Sequence, residues 1–188
     1  MSAPGCDRLA LADLTDYAAG ELSEAEAATI EEHLFTCADC AARAVQLDAL
    51  VRAIRPAIRS AEVGGFVTDA VLNRLARDGA RVRTFALTPG AVVPCAVWED
   101  DELMALRLRG EFGGARKFTL TQRVAGKEVI RATCQVAGAS REIIHLVPAA
   151  WVRQLPLVEV EVVLTAHEGD EERPVGRYTL VHEGSLQR

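Results

Sequence analysis

The fold of the N-terminal part of this chain is decided by the stretch His33-Leu34-Phe35-Thr36-Cys37-Ala38-Asp39-Cys40. It has the spacing H-x3-C-x2-C and lies where one predicted helix ends and the next begins. His33 falls in the last turn of the second predicted helix, and Cys37 and Cys40 fall in the first turn of the third. Nitrogen and sulfur donors placed in this way can converge on one ion of tetrahedral preference, which indicates zinc.

The N-terminus of the third helix favours metal binding, because the helix dipole lowers the pKa of nearby thiols and so stabilises the thiolates that zinc needs. A fourth donor is available in Cys6, just before the first predicted helix. One short helical hairpin would bring Cys6 back to the other three residues. The sequence therefore predicts a closed Cys3His site of the structural type, with Cys6, His33, Cys37 and Cys40 as ligands.

Residues 7–78 have the apolar spacing of helices. The first helix is predicted to end at Gly20, and the second to begin with a capping box, Ser23 to Glu26. The same S/T-x-x-D/E form predicts that Thr36 caps the third helix, whose apolar face includes Val45 and Leu50. After Gly64-Gly65, a fourth amphipathic helix is predicted from Phe66 to Arg77.

From Arg81 onwards the period changes to two, as in Met104–Arg109 and Val158–Val162. About eight short strand-like runs follow one another with no long helix between them, which indicates an antiparallel sandwich or barrel. The predicted fold class is α+β: a zinc-bound helical bundle followed by an all-β antiparallel sandwich. An immunoglobulin-like sandwich is favoured, and a cupin-like barrel is the alternative. The predicted domains are 1–62, a linker with a short helix over 63–80, and 81–188.

The composition narrows the class of function. The chain has 188 residues, 49% of them apolar, and a net charge of −6; its first 40 residues hold one basic and nine acidic side chains, a net charge of −8. Such a surface repels nucleic acid and suits a basic partner. The N-terminus lacks the basic and apolar regions of a signal peptide, and no apolar run is long enough to span a membrane. We therefore expect a soluble, cytoplasmic protein that contacts neither membrane nor nucleic acid directly.

Other residues that could carry chemistry have simpler explanations. Cys95 and Cys134 lie in strand-like runs, where a free cysteine packs as a small apolar residue. The run Glu99–Glu102 is predicted to be a solvated turn. His145 and His182, like His167, are predicted to face solvent or a pocket. No catalytic constellation is recognisable, so the protein is not expected to be an enzyme.

The stretch from Cys6 to Ile58 resembles the zinc-associated anti-sigma domain, the zinc-finger-like helical module of bacterial anti-sigma factors. The resemblance covers the first third of the chain. It rests on Cys6, on the H-x3-C-x2-C spacing, on Tyr17, and on Gly20-Glu21-Leu22-Ser23 ahead of His33-Leu34. It implies that Cys6, His33, Cys37 and Cys40 bind zinc. It also implies that the protein sequesters an extracytoplasmic-function sigma factor from core RNA polymerase.

The resemblance suggests a role for the fourth helix as well. Phe66, Val71 and Leu75 could bind a groove on the sigma factor; the alternative is that this helix packs on the protein's own domains. Some members of the family are redox sensors, and the predicted zinc thiolates could exchange the ion for a disulfide. The β domain, which stands where relatives carry a membrane helix, is expected to sense a ligand or to dock.

Two other functions fit the same sequence. One is a zinc-stabilised protein–protein adaptor whose partner is not a sigma factor. The other is a cupin-like ligand-binding protein, because Thr88–Glu102 is similar to a cupin motif. In that motif Ala96 and Trp98 stand where the metal-binding histidines would be, which argues against a metal-dependent cupin activity.

Overall fold

The computed structural model describes residues 9–59, 64–136, 142–169 and 171–186. Three helices come first: α1 (Leu11–Ala19), α2 (Glu24–Thr36) and α3 (Ala38–Arg59). The rest is mainly strands, in the order β1 (Gly65–Val67), α4 (Asp69–Arg77), β2 (Val82–Leu87), β3 (Val92–Trp98), β4 (Leu103–Arg109), β5 (Lys117–Val124), β6 (Lys127–Gln135), β7 (Glu142–Pro148), α5 (Ala149–Arg153), β8 (Glu159–Glu168) and β9 (Glu171–Leu186). The predicted α+β class is confirmed. Within the described ranges, every helix is too short or too polar to cross a membrane.

Helices α1 to α3 form a small bundle with its own core. Leu14, Ile30 and Ala44 are buried at its centre. The predicted capping box opens α2, since the backbone N–H of Ser23 donates to the Glu26 carboxylate at 2.9 Å and the Ser23 hydroxyl accepts from the Glu26 N–H. Gly20 ends α1 in the left-handed conformation, at a φ of 74°.

Two expectations for α3 were wrong. Thr36 does not cap this helix: it is the last residue of α2, and its hydroxyl donates to the carbonyl of His33 at 3.0 Å. Val45 and Leu50 do not face the bundle either, and Val45 is 69% exposed. The buried stripe of α3 runs through Cys40 and Ala44 instead, because a bundle this small covers only one narrow side of the helix.

The β part consists of two open sheets packed face to face, so the sandwich is confirmed. One sheet has the order β1-β7-β4-β2 and the other β3-β9-β8-β5-β6. Most pairs are antiparallel, but β2 pairs with β4, and β3 with β9, in parallel. The strictly antiparallel expectation was therefore wrong for these two pairs. The core between the sheets includes Val97, Leu106, Phe118, Leu164 and Tyr178.

The strand order favours the immunoglobulin-like alternative over the cupin-like barrel. In chain order, β4, β5, β6, β7, β8 and β9 take the places of strands B, C, C′, E, F and G of an immunoglobulin sandwich. Among the strands that the structure describes, neither sheet closes on itself, as a closed barrel requires.

The described part of the predicted linker belongs to the β domain. Phe66 does not begin a helix: it lies in β1, which pairs with β7, and α4 begins only at Asp69. The hydroxyl of Thr68 caps α4 by accepting from the N–H of Val71. Helix α4 covers the outer face of the first sheet, where its buried residues Leu72 and Leu75 pack with those of β4 and β7. Helix α4 therefore packs on the protein's own β domain, which is the alternative given in the sequence analysis.

The acidic turn between β3 and β4 differs from its prediction. Asp101 is not solvated but only 8% exposed. Its carboxylate accepts from the Trp98 N–H at 2.8 Å and from Nε of Arg83 at 2.5 Å. The guanidinium of Arg153 donates to the carbonyls of Trp98 and Asp101 at 3.2 and 2.9 Å. The turn is thus a fixed corner joining the two sheets.

A buried tyrosine joins the sheets at another point. Tyr178 is wholly buried, and its hydroxyl donates to the carbonyl of Arg109 at 2.8 Å. Burial raises the pKa of this hydroxyl to about 12. Gly176 leaves room for it, since a Cβ there would lie 2.7 Å from the hydroxyl oxygen.

We expect Tyr178→Phe to lower the free energy of unfolding by about 1–2 kcal/mol, because the part-buried hydrogen bond to the Arg109 carbonyl is lost while the packing of the ring is kept. Urea unfolding of the variant and of the wild type, followed by tryptophan fluorescence, measures this difference. An unchanged midpoint would contradict a stabilising role for the hydrogen bond.

Candidate metal centre

Three of the four predicted ligands meet at the junction of α2 and α3. One ligand atom from each of His33, Cys37 and Cys40 can be chosen so that all three lie within 4.8 Å of one another. Cys40 is fully buried, while His33 and Cys37 are half-buried. The fourth predicted ligand, Cys6, lies outside the described residues.

The backbone at the junction explains why these residues converge. The Cys37 N–H donates to the carbonyl of His33 at 2.9 Å and closes α2. Cys37 itself is extended, with φ −119° and ψ 100°, which turns the chain between the helices. Its carbonyl accepts from the Ala41 N–H at 3.0 Å and so begins α3. The spacing of the motif therefore places a histidine at the end of one helix beside two cysteines at the start of the next.

The donor set fits a zinc ion. Tetrahedral coordination by sulfur at about 2.3 Å separates neighbouring ligand atoms by about 3.7 Å, which is compatible with the observed cluster. The dipole at the start of α3 favours thiolates at Cys37 and Cys40. These two cysteines and His33 would hold the ion, with Cys6 expected to complete the set. A bound zinc would cross-link the helices rather than activate a substrate.

The residues predicted to bind a partner lie apart from this centre. Phe66 is half-buried in β1 against the inter-sheet core, and Leu75 is buried under α4. Val71 is half-buried beside the same cluster as Leu75. In this conformation α4 would have to leave the sheet to present Leu75 to another protein.

Contacts between the helical bundle and α4 were not anticipated. The hydroxyl of Thr68 donates to the carboxylate of Glu21 at 2.6 Å. The Arg74 guanidinium lies so close to Gly20 that a Cβ at that position would overlap it. These pairs are about 50 residues apart in sequence, and no local pattern signals them. We name the contacts of Gly20 and Glu21 with Arg74 and Thr68 the bundle–α4 junction.

Two buried histidines also differ from their predictions. His145 and His182 are each only 3% exposed, although they were predicted to face solvent or a pocket. His145 packs against the ring of Phe66, with a centroid distance of 5.2 Å. Burial lowers the pKa of His145 to about 4, and its backbone contact with Gly65 offsets part of that effect.

Comparisons with known proteins agree with the site. Residues 6–41 match a family model described as "Putative zinc-finger", which is the zinc-finger domain of anti-sigma factors. The resemblance predicted for the N-terminal third is confirmed. Among curated proteins, none matches this sequence. The N-terminal domain of phage TP901-1 ORF48 is similar in structure at 11% identity and a TM-score of 0.33, over 54% of this chain and 98% of that one.

Proposed function

We propose that this protein is a cytoplasmic zinc-binding anti-sigma factor that sequesters an extracytoplasmic-function sigma factor. Zinc held by Cys6, His33, Cys37 and Cys40 would keep helices α1 to α3 in the shape that the sigma factor recognises. The protein would thereby regulate transcription by binding another protein, and not as an enzyme.

One observation carries the proposal. The three ligand atoms converge within 4.8 Å in the segment that matches the anti-sigma zinc-finger family. Neither fact would be as specific alone, since pairs of cysteines with two residues between them also occur as simple packing residues. The combination of motif, helix junction and family match points to a domain whose known task is to bind sigma factors.

The surface of the helical bundle is suited to a protein partner that has a basic surface. Phe35, between two of the ligands, is 90% exposed, and Leu11, Val45 and Leu50 are exposed on the same three helices. Contiguous exposed apolar patches are typical of interaction surfaces, and we propose that these side chains contribute to one. The net charge of −8 over the first 40 residues suits the basic surfaces of sigma factors. We therefore place the partner surface on α1 to α3.

The test starts with affinity purification of the full chain from its native host under reducing conditions, with bound proteins identified by mass spectrometry. We expect one extracytoplasmic-function sigma factor at a 1:1 ratio. The purified pair is then mixed with core RNA polymerase, and sigma factor held by this protein should not enter the holoenzyme. Another protein at 1:1 would instead assign the adaptor function, and no stoichiometric partner would contradict the proposal.

Phe35→Ala is expected to weaken sigma binding about 30-fold, since truncating an aromatic anchor at an interface costs about 2 kcal/mol. Its zinc content should stay at one ion per chain, because Phe35 is not a ligand. Val92→Ala is the matched control: Val92 is also an exposed apolar residue, but it lies on β3 of the β domain. Equal loss of binding in both variants would place the partner surface elsewhere.

A further inference from the structure

A cavity of about 720 Å³ lies where the helical bundle meets the β domain. The bundle contributes residues of α1 and α3, among them Thr15, Ala19 and Val51. The opposite side is formed by β1, α4, the end of β6 and the start of β7. This volume is typical of small-molecule sites, which occur preferentially at such interfaces.

Most of the lining is apolar. Phe66, Val71 and Ile144 belong to the β-domain side, and Val51 faces them from the bundle. Both parts of the protein therefore offer apolar surface to the same space. An occupant with an apolar body would bury surface against both and hold them together.

The charged residues at the cavity differ in whether their side chains already form ion pairs or hydrogen bonds. Asp69 and Glu142 both pair with Arg107, which lies 2.7 Å from the Asp69 carboxylate, and Glu142 also pairs with Arg109 at 3.4 Å. The Glu21 carboxylate accepts from the hydroxyl of Thr68. The Arg74 side chain is half-buried, yet it forms no ion pair or hydrogen bond with any residue that the structure describes. Its guanidinium carries five N–H donors, which fit a carboxylate or a similar anion.

We propose that this cavity binds a small amphipathic anion, with its apolar body between Phe66, Val71 and Val51 and its anionic group at Arg74. The ligand would act as a bridge between α1 and α3 on one side and α4 and β7 on the other. The site is separate from the metal ligands and does not depend on the identity of any protein partner, but it requires the zinc-loaded, folded bundle, because α1 and α3 form one of its walls.

The probe for this site is 1-anilinonaphthalene-8-sulfonate, an aromatic anion whose fluorescence rises on binding. Titrated into the zinc-loaded full chain, it is expected to bind one saturable site. Octanoate should displace it at a concentration at least tenfold lower than 1-octanol or octylamine, which share its chain length but lack the anion. Arg74→Gln should abolish this preference, because it removes the charged donor and leaves the apolar lining intact.

Ala70→Phe places a larger side chain in the cavity and should weaken probe binding at least tenfold. If circular dichroism shows that Ala70→Phe does not fold, Thr15→Phe is used in its place, because it narrows the cavity from the α1 side. Val45→Phe is the matched control, because Val45 lines a second cavity on the bundle that Arg74 also borders. Binding that is lost in Val45→Phe but kept in the other variants, or octanoate no better than octylamine, would overturn the proposal.

Discussion

Replacing Cys40 by serine is expected to unfold helices α1 to α3 while the β-sandwich stays folded. Cys40 is a buried candidate ligand, and the bundle has only a small core of its own, around Leu14, Ile30 and Ala44. In zinc sites of this size the binding free energy, about 10 kcal/mol or more, is also folding free energy. Without the free energy of zinc binding, the small apolar core of α1 to α3 is not expected to keep these helices folded.

The two parts of the protein can be followed separately. Both tryptophans, Trp98 and Trp151, belong to the β domain, whereas circular dichroism at 222 nm reports mainly on the helices. We expect Cys40→Ser to lose zinc and a large part of its helical signal, with little change in the tryptophan fluorescence. A chelator should do the same to the wild type.

Cys134→Ser is the control for the cysteine variant. Cys134 lies in β6, far in sequence from the metal centre, and burial raises the pKa of its thiol to about 11. This variant should keep one zinc per chain and its full helical signal. A Cys40→Ser protein that is fully helical without zinc would show that the metal does not hold the bundle together.

The β domain is expected to lose stability in mild acid through His145. The folded protein holds this side chain neutral, with a pKa of about 4, whereas in the unfolded chain its pKa is about 6.5. Between pH 6.5 and pH 4, His145 therefore binds a proton in the unfolded state and not in the folded state. The free energy of unfolding has its full value, as far as His145 is concerned, above pH 6.5. It falls by about 3 kcal/mol in total as the pH decreases towards 4.

About 2 kcal/mol of that loss should fall between pH 7 and pH 5. Urea unfolding followed by tryptophan fluorescence measures it in the β domain, whatever happens to the zinc site over the same range. His145→Leu removes the titrating group, so its free energy of unfolding should change less between the two pH values than that of the wild type. Parallel pH dependences in the two proteins would show that His145 is not the group responsible.

The features that the sequence predicts well are those made by near neighbours. The spacing of His33, Cys37 and Cys40 places them at one helix junction by helix geometry alone, and the Ser23 capping box is equally local. The period of two after Arg81 likewise needs only the alternation of side chains along a strand. These predictions hold because the same few residues determine both pattern and structure.

The features that it misses depend on contacts between distant residues. Parallel pairing of β2 with β4 depends on how β3 crosses to the other sheet, which alternation within a strand does not reveal. Aspartate is a residue type common in solvated turns. The burial of Asp101 is favourable because Arg83, 18 residues earlier, pairs with its carboxylate in addition to the local Trp98 N–H. The bundle–α4 junction and the exposure of Val45 likewise reflect which surfaces the fold brings together.

The open sheets bear on how the protein behaves when it is concentrated. A sheet that does not close leaves edges where a strand from another molecule could add, which is a route to aggregation. The five-stranded sheet ends at β6, where the exposed Lys127, Glu128 and Arg131 put charges on nine residues of edge. The other sheet ends on one side in β1, which offers only three residues for pairing. The charges on β6 and the shortness of β1 should oppose strand addition at these two of the four sheet edges.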